Sequence, residues 1–134
     1  MTEVYIVPTA RVGEVWDRVA VLLEKAVGLT RGRNTLETVW QDVEGGDQQL
    51  FIALEGEEIV GACTTRIAEY PNATWLCVVH CGGGQLEKWL KDGFEAVKTW
   101  ARQNGCVGIE IDGRPEWRKV LGLKVVSTKM ELVL

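Results

Sequence analysis

The sequence predicts a mixed α+β fold in a single domain, residues 1–134, with elements in the order β-α-α-β-β-β-α-β-α-β. Three observations carry that prediction. Leu86–Leu134 reads helix, strand, short helix, strand with little linker between them. Leu50–Ile67 reads as an antiparallel hairpin about the turn Glu55-Gly56-Glu57. Before it, apolar residues recur at helical spacing in two separate stretches. A chain of 134 residues, 46% apolar and 25% charged with six tryptophans, can fill one core.

Tyr5-Ile6-Val7 forms the first strand, which Pro8 ends. Val12, Val15, Trp16, Val19, Leu22, Leu23 and Ala26 lie on one face of a helix closed by Gly28. The loop Thr30–Asn34 carries Arg31 and Arg33. Asn34 and Glu37 fit a capping box for a second helix through Trp40 and Val43, broken at Glu44-Gly45-Gly46-Asp47. The hairpin strands are Gln49–Leu54 and Ile59–Ile67, and Tyr70-Pro71-Asn72 makes the next turn. Ala73–Val79 is almost wholly apolar, as a central strand should be, and Gly82-Gly83-Gly84 ends it. The long helix is Leu86–Asn104, stopped at Gly105. A strand over Cys106–Asp112, a short helix within Gly113–Leu123 and a last strand over Lys124–Leu134 complete the chain.

A net charge of −4 argues against a general phosphate-backbone binder, so no nucleic acid is expected as partner. Nothing resembles a signal peptide or membrane span, and the expectation is a soluble, cytoplasmic protein with no membrane partner. Cys63, Cys77, Cys81 and Cys106 all lie in apolar or strand-like surroundings. The run Cys77-Val78-Val79-His80-Cys81 invites a metal reading. No second close ligand pair exists elsewhere, so structural thiols and no metal are expected.

The hairpin with its Ile59-Val60-Gly61, the run Thr99–Cys106 and the stretch Gly113–Leu123 with its Leu121-Gly122-Leu123 resemble the GNAT superfamily of acyl-CoA-dependent N-acyltransferases. The likeness looks closest to small phage-encoded GNAT-like proteins. It implies an α/β/α layered, GNAT-like mixed sheet of about six strands. In that sheet the fourth and fifth strands, Ala73–Val79 and Val107–Ile111, are parallel and splay apart. It implies acetyl-CoA or another acyl-CoA as cofactor and a small-molecule or protein amine as acceptor, and it leaves room for a homodimer.

In the family the fourth strand and the loop after it bind the cofactor. That carries Val79, Cys81, Gly82, Gly83, Gly84, Gln85 and Lys88 into the cofactor site. The family's pyrophosphate loop reads Q/R-x-x-G-x-G/A. Here Gln85 takes the first position, while Lys88 and Leu90 stand where glycines are usual. The glycine run could form a displaced anion nest or simply a flexible connection. His80, the chain's one histidine, has the pKa range of a general base, or caps a strand end. Ser127 stands in the region where the family commonly has an acidic tyrosine. Arg31, Arg33, Asp112 and Arg114 fall where the resemblance places the acceptor; as residues alone they read as solvated loop or turn positions. Two functions follow: an N-acyltransferase, or a catalytically silent GNAT-fold binding or structural protein, of phage origin in the narrower form.

Overall fold

A computed structural model describes residues 2–112 and 117–134. Its elements are β1 (Thr2–Val7), a 3₁₀ turn (Thr9–Glu14), α1 (Trp16–Gly28), α2 (Leu36–Glu44), β2 (Gln49–Glu55), β3 (Glu58–Tyr70), β4 (Ala73–Gly83), α3 (Leu86–Gln103), β5 (Gly108–Ile111) and α4 (Trp117–Leu121). Among the described residues five strands form one sheet in sequence order. The pairs from β1 to β4 are antiparallel. β4 and β5 run parallel, from Trp75 beside Gly108 to Val78 beside Ile111.

The helices divide by face because each carries one apolar stripe. Val19, Leu23 and Val27 recur every four residues on α1, and Val39 and Val43 do so on α2. With Leu50, Ile52, Ile59 and Ala62 of the sheet they make one core. On α3 the stripe is Trp89, Gly93, Val97 and Ala101. It covers the opposite face, where Phe51, Cys63, Leu76 and Val78 make the second core. The result is the expected α/β/α layering.

Several local expectations change. The first helical stretch divides: a 3₁₀ turn takes Val12, and the α-helix starts at Trp16. The second helix is capped by Thr35 and Thr38, whose hydroxyls and amides bond reciprocally, and not by Asn34 and Glu37. The glycine run does not end the fourth strand. β4 stays paired to β3 through Gly82 and Gly83. The segment 124–134, expected as a last strand, pairs with no described strand.

One irregularity matters for the site. Along β3 and β4 the register runs Thr65 to Val78, then Thr64 to His80, so Val79 is an extra residue. Such a bulge re-aims the side chains that follow it. Val78 and Cys81 both pack toward α3. His80 lies beside Thr64, on the face that α1 and α2 cover, and Gly82 follows it there against Leu22.

Candidate functional site

The parallel pair β4–β5 stops at Val78 and Ile111, while β4 runs on to Gly83. Beyond Val78, β4 keeps β3 on one side and has no described strand on the other. On the α3 side of this opening a small apolar cavity of about 30 Å³ touches Cys63, Val78, Cys81, Trp89, Ile111 and Trp117. A larger cleft of about 260 Å³ lies at the start of β2, beside Gln48, and holds none of the residues singled out from the sequence.

His80 sits just past the opening and is 2% exposed. Neither ring nitrogen has a hydrogen-bond partner, and its neighbour in register, Thr64, has an equally unpartnered, buried hydroxyl. Burial pushes the imidazole below its usual pKa, and the charge of Asp42 on α2 partly offsets this. Asp42 in turn accepts a hydrogen bond from Gln48 Nε2 at 3.0 Å. Sequence reading missed Asp42 and Gln48; only tertiary packing brings the charge of Asp42 within reach of His80.

The direction of that shift fixes a pH dependence. The folded protein resists protonation at His80, so between the folded pKa and 6.5 the unfolded chain binds more protons. Stability therefore rises as pH climbs toward 6.5 and gains nothing more from this residue above it. His80 is the one histidine, so its ring signals in a proton NMR titration are unambiguous. The expected midpoint lies below 6.5; a midpoint at or above that value contradicts the buried, neutral imidazole.

The loop after β4 is tightly built. A Cβ on Gly82 would lie 2.1 Å from the carbonyl oxygen of Leu22 in α1. Gly83 has φ +133° and abuts the backbone of Val60 and Gly61. Gly84 donates to the Val60 carbonyl at 3.1 Å and accepts from Trp89 Nε1 at 3.0 Å. Gln85 takes the left-handed conformation at φ 53° and leads into α3, whose first turn has no side-chain cap. Its own carbonyl accepts from the Lys88 amide at 2.9 Å. Lys88 is exposed on that first turn.

The remaining candidates are spread more widely. Arg31 and Arg33 both ion-pair with Glu131, Arg33 at 2.6 Å. Asp112 is exposed directly after β5, close enough to Cys77 for its charge to help raise that thiol, behind the larger effect of burial. Ser127 is exposed on the segment after α4. Arg114 lies outside the described residues. The structure thus brings His80, Val79, Cys81 and the glycine loop to one end of β4, and sets the two arginines against a different partner. The four cysteines form no disulfide with one another. Cys63 faces Cys81 across β3 and β4, and their hydrogen bond together with burial lifts the Cys63 thiol well above its usual range. Among the described residues no group of three or more histidine, cysteine or acidic side chains could hold a metal ion, and no helix is long and apolar enough to cross a membrane.

No family model and no curated protein sequence matches the chain. Solved structures do. An aminoglycoside acetyltransferase from an uncultured soil metagenomic sample superposes with TM-score 0.75 at 12% identity, over 100% of this chain and 99% of that one. A second metagenomic aminoglycoside acetyltransferase, in complex with sisomicin, gives 0.73 at 11% identity, over 99% and 96%. Glucosamine-6-phosphate N-acetyltransferase from Arabidopsis thaliana gives 0.66 at 13% identity, over 99% and 98%. None of these three is described as phage-encoded. At such identities the likeness speaks for architecture alone: the chain has the GNAT fold, with its mixed sheet and its parallel fourth and fifth strands.

Proposed function

We propose that this protein is an acyl-CoA-dependent N-acyltransferase that acetylates a primary amine on a small molecule. The observation that carries the reading is the opening between β4 and β5 beyond Val78 and Ile111, with His80 immediately past it. Along Val79–Gly83 no described strand flanks β4 on the side away from β3, and an extended pantetheine could lie there as an added strand would. The first turn of α3, uncapped and carrying exposed Lys88, favours the pyrophosphate over Gly82–Lys88. The cofactor, when bound, supplies the thioester whose carbonyl the amine attacks. A neutral His80 is in the right protonation state to take the amine's proton, and a backbone N–H of Val79–Cys81 would support the developing oxyanion. Ser127 is the proposed proton donor to the leaving thiolate. Asp112, Arg114, Arg31 and Arg33 are the proposed acceptor wall. The matched structures include enzymes for amine-bearing sugars, which supports a small-molecule acceptor.

Calorimetry with acetyl-CoA and with free CoA tests this directly. Gly83→Val is a poor probe, because it strikes the backbone of β3. Gly84→Val is a better one: a Cβ there meets nothing within 4 Å. We expect Gly84→Val and Lys88→Glu each to weaken binding, the latter more at low salt. His80→Ala should leave CoA affinity intact and slow transfer about 100-fold or more. Absence of binding at millimolar ligand would end the enzyme reading. A silent GNAT-fold module would then stand, a reading favoured by Lys88 and Leu90 at the family's glycine positions.

A further inference from the structure

Among the described residues four buried side-chain atoms find no hydrogen-bond partner within the protein: Gln48 Oε1, Thr64 Oγ1, and His80 Nδ1 and Nε2. A buried polar atom without a partner forfeits its hydration and gets nothing back, so each such atom calls for a cause. These four share one layer. Thr64 lies opposite Leu50 on β2 and opposite His80 on β4. Gln48 comes two residues before Leu50 and so takes the same face, the one that α1 and α2 cover. On the other face the next pair satisfies itself: Thr65, fully buried, donates to Gln49 Oε1 at 2.8 Å.

The layer has a polarity. Gln48 is tied twice to Asp42 of α2: its backbone N–H donates to the Asp42 carbonyl at 3.0 Å, and its side-chain Nε2 donates to the carboxylate at 3.0 Å. An ionised carboxylate only accepts, so Asp42 fixes which end of the Gln48 amide faces it. Oε1, the other end, is left as an acceptor. Thr64 carries one hydroxyl hydrogen, and a neutral imidazole donates at one nitrogen and accepts at the other. None of the four atoms bonds another directly. A buried water spans such a gap with about three hydrogen bonds.

The geometry points to one internal water joining His80, Thr64 and Gln48, in a chain that ends on Asp42 and holds His80 in a single neutral tautomer. The water accepts from a ring N–H of His80 and from the Thr64 hydroxyl, and it donates to Gln48 Oε1. Gln48 then donates to Asp42. Every hydrogen is directed toward the carboxylate, so the other ring nitrogen keeps its lone pair. Asp42, Gln48 and Thr64 are positioning residues. On the function proposed above, on which this last point rests, that lone pair is the one that takes the proton of the amine. Without the chain the two tautomers compete, and part of the protein presents an N–H to the amine instead.

Long-range proton–nitrogen NMR on the full chain at neutral pH reads the tautomer, because His80 is the one histidine. The expected spectrum shows one protonated and one bare ring nitrogen. Gln48→Leu removes the acceptor and should move both nitrogens toward averaged shifts. Thr64→Val should do the same, while Thr64→Ser restores the native pattern. Thr64→Val should also lower the urea midpoint, whereas replacing a hydroxyl that bonds nothing would raise it. In acetyl transfer, Gln48→Leu should lower kcat about tenfold at unchanged KM for acetyl-CoA. Averaged shifts in the native chain overturn the proposal. So does a native pattern in Gln48→Leu, or a raised midpoint in Thr64→Val. The spectra need no cofactor, so a single tautomer that the variants disturb upholds the chain even where failure to bind CoA ends the acyltransferase reading.

Discussion

Gly82→Ala is expected to cost about 3 kcal/mol or more, the upper range for forcing atoms into a filled core. The added methyl would sit 2.1 Å from the carbonyl oxygen of Leu22 and 3.1 Å from its carbonyl carbon. Both are main-chain atoms in the middle of α1, so no side chain can rotate away. Either α1 lifts off β4 or the end of β4 moves. A domain of this size has roughly 5–15 kcal/mol of stability in total, so the loss is a large share. Urea unfolding followed by circular dichroism measures it. The contrast is Gly84→Ala, two residues on, where the methyl meets nothing within 4 Å. Near-equal midpoints for the two variants would contradict the backbone contact between α1 and β4.

Trp89→Ala is expected to cost about 3–5 kcal/mol, as large-to-small changes at buried aromatics do. Trp89 is 3% exposed, and its ring lies so close over Gly61 that a Cβ there would come within 2.2 Å of it. Its indole N–H is also the donor to the Gly84 carbonyl. One side chain thus fills the core beneath α3 and holds the turn that leads out of β4. Trp89→Phe separates the two roles. It keeps most of the ring volume and gives up the hydrogen bond to the carbonyl of exposed Gly84, for a loss of about 1 kcal/mol. Should the alanine and phenylalanine variants unfold at the same denaturant concentration, packing against Gly61 would not be the main contribution. On the proposed function, both variants also weaken CoA binding, because the glycine turn loses its anchor.

What the sequence showed and what it hid follow from the range of the interactions involved. The bounds of α3 were legible to within a residue, since a periodic apolar stripe and the glycine after it are local signals. The hairpin of β2 and β3 and the parallel pairing of β4 with β5 were legible too, as consequences of turn residues and of a helical crossover. The cap of α2 was misplaced by one residue because Asn34 and Thr35 both suit that role, and geometry alone chooses Thr35. The glycine run looked like a strand end. It is instead where β4 passes close to two other backbones, and nothing local announces a neighbour's carbonyl. At the site, His80 stood out as the lone histidine. Its burial, its exposure to Asp42 and the face it occupies depend on partners far along the chain. The tie of Arg31 and Arg33 to Glu131 spans about a hundred residues and was equally out of reach.

The extra residue at Val79 gives β4 a parity. Counting by twos from Leu76 and Val78 assigns His80 to the α3 side, yet it lies on the other. Removing Val79 would let Val78 and His80 follow one another in ordinary alternation. Every later side chain would keep the side it has now. Removing any other residue of the strand would turn one half of it over, or oblige the irregularity to migrate. Position 79 is therefore where this strand can shorten by one without exchanging its imidazole for its thiol, and where length variation between chains of this architecture should collect.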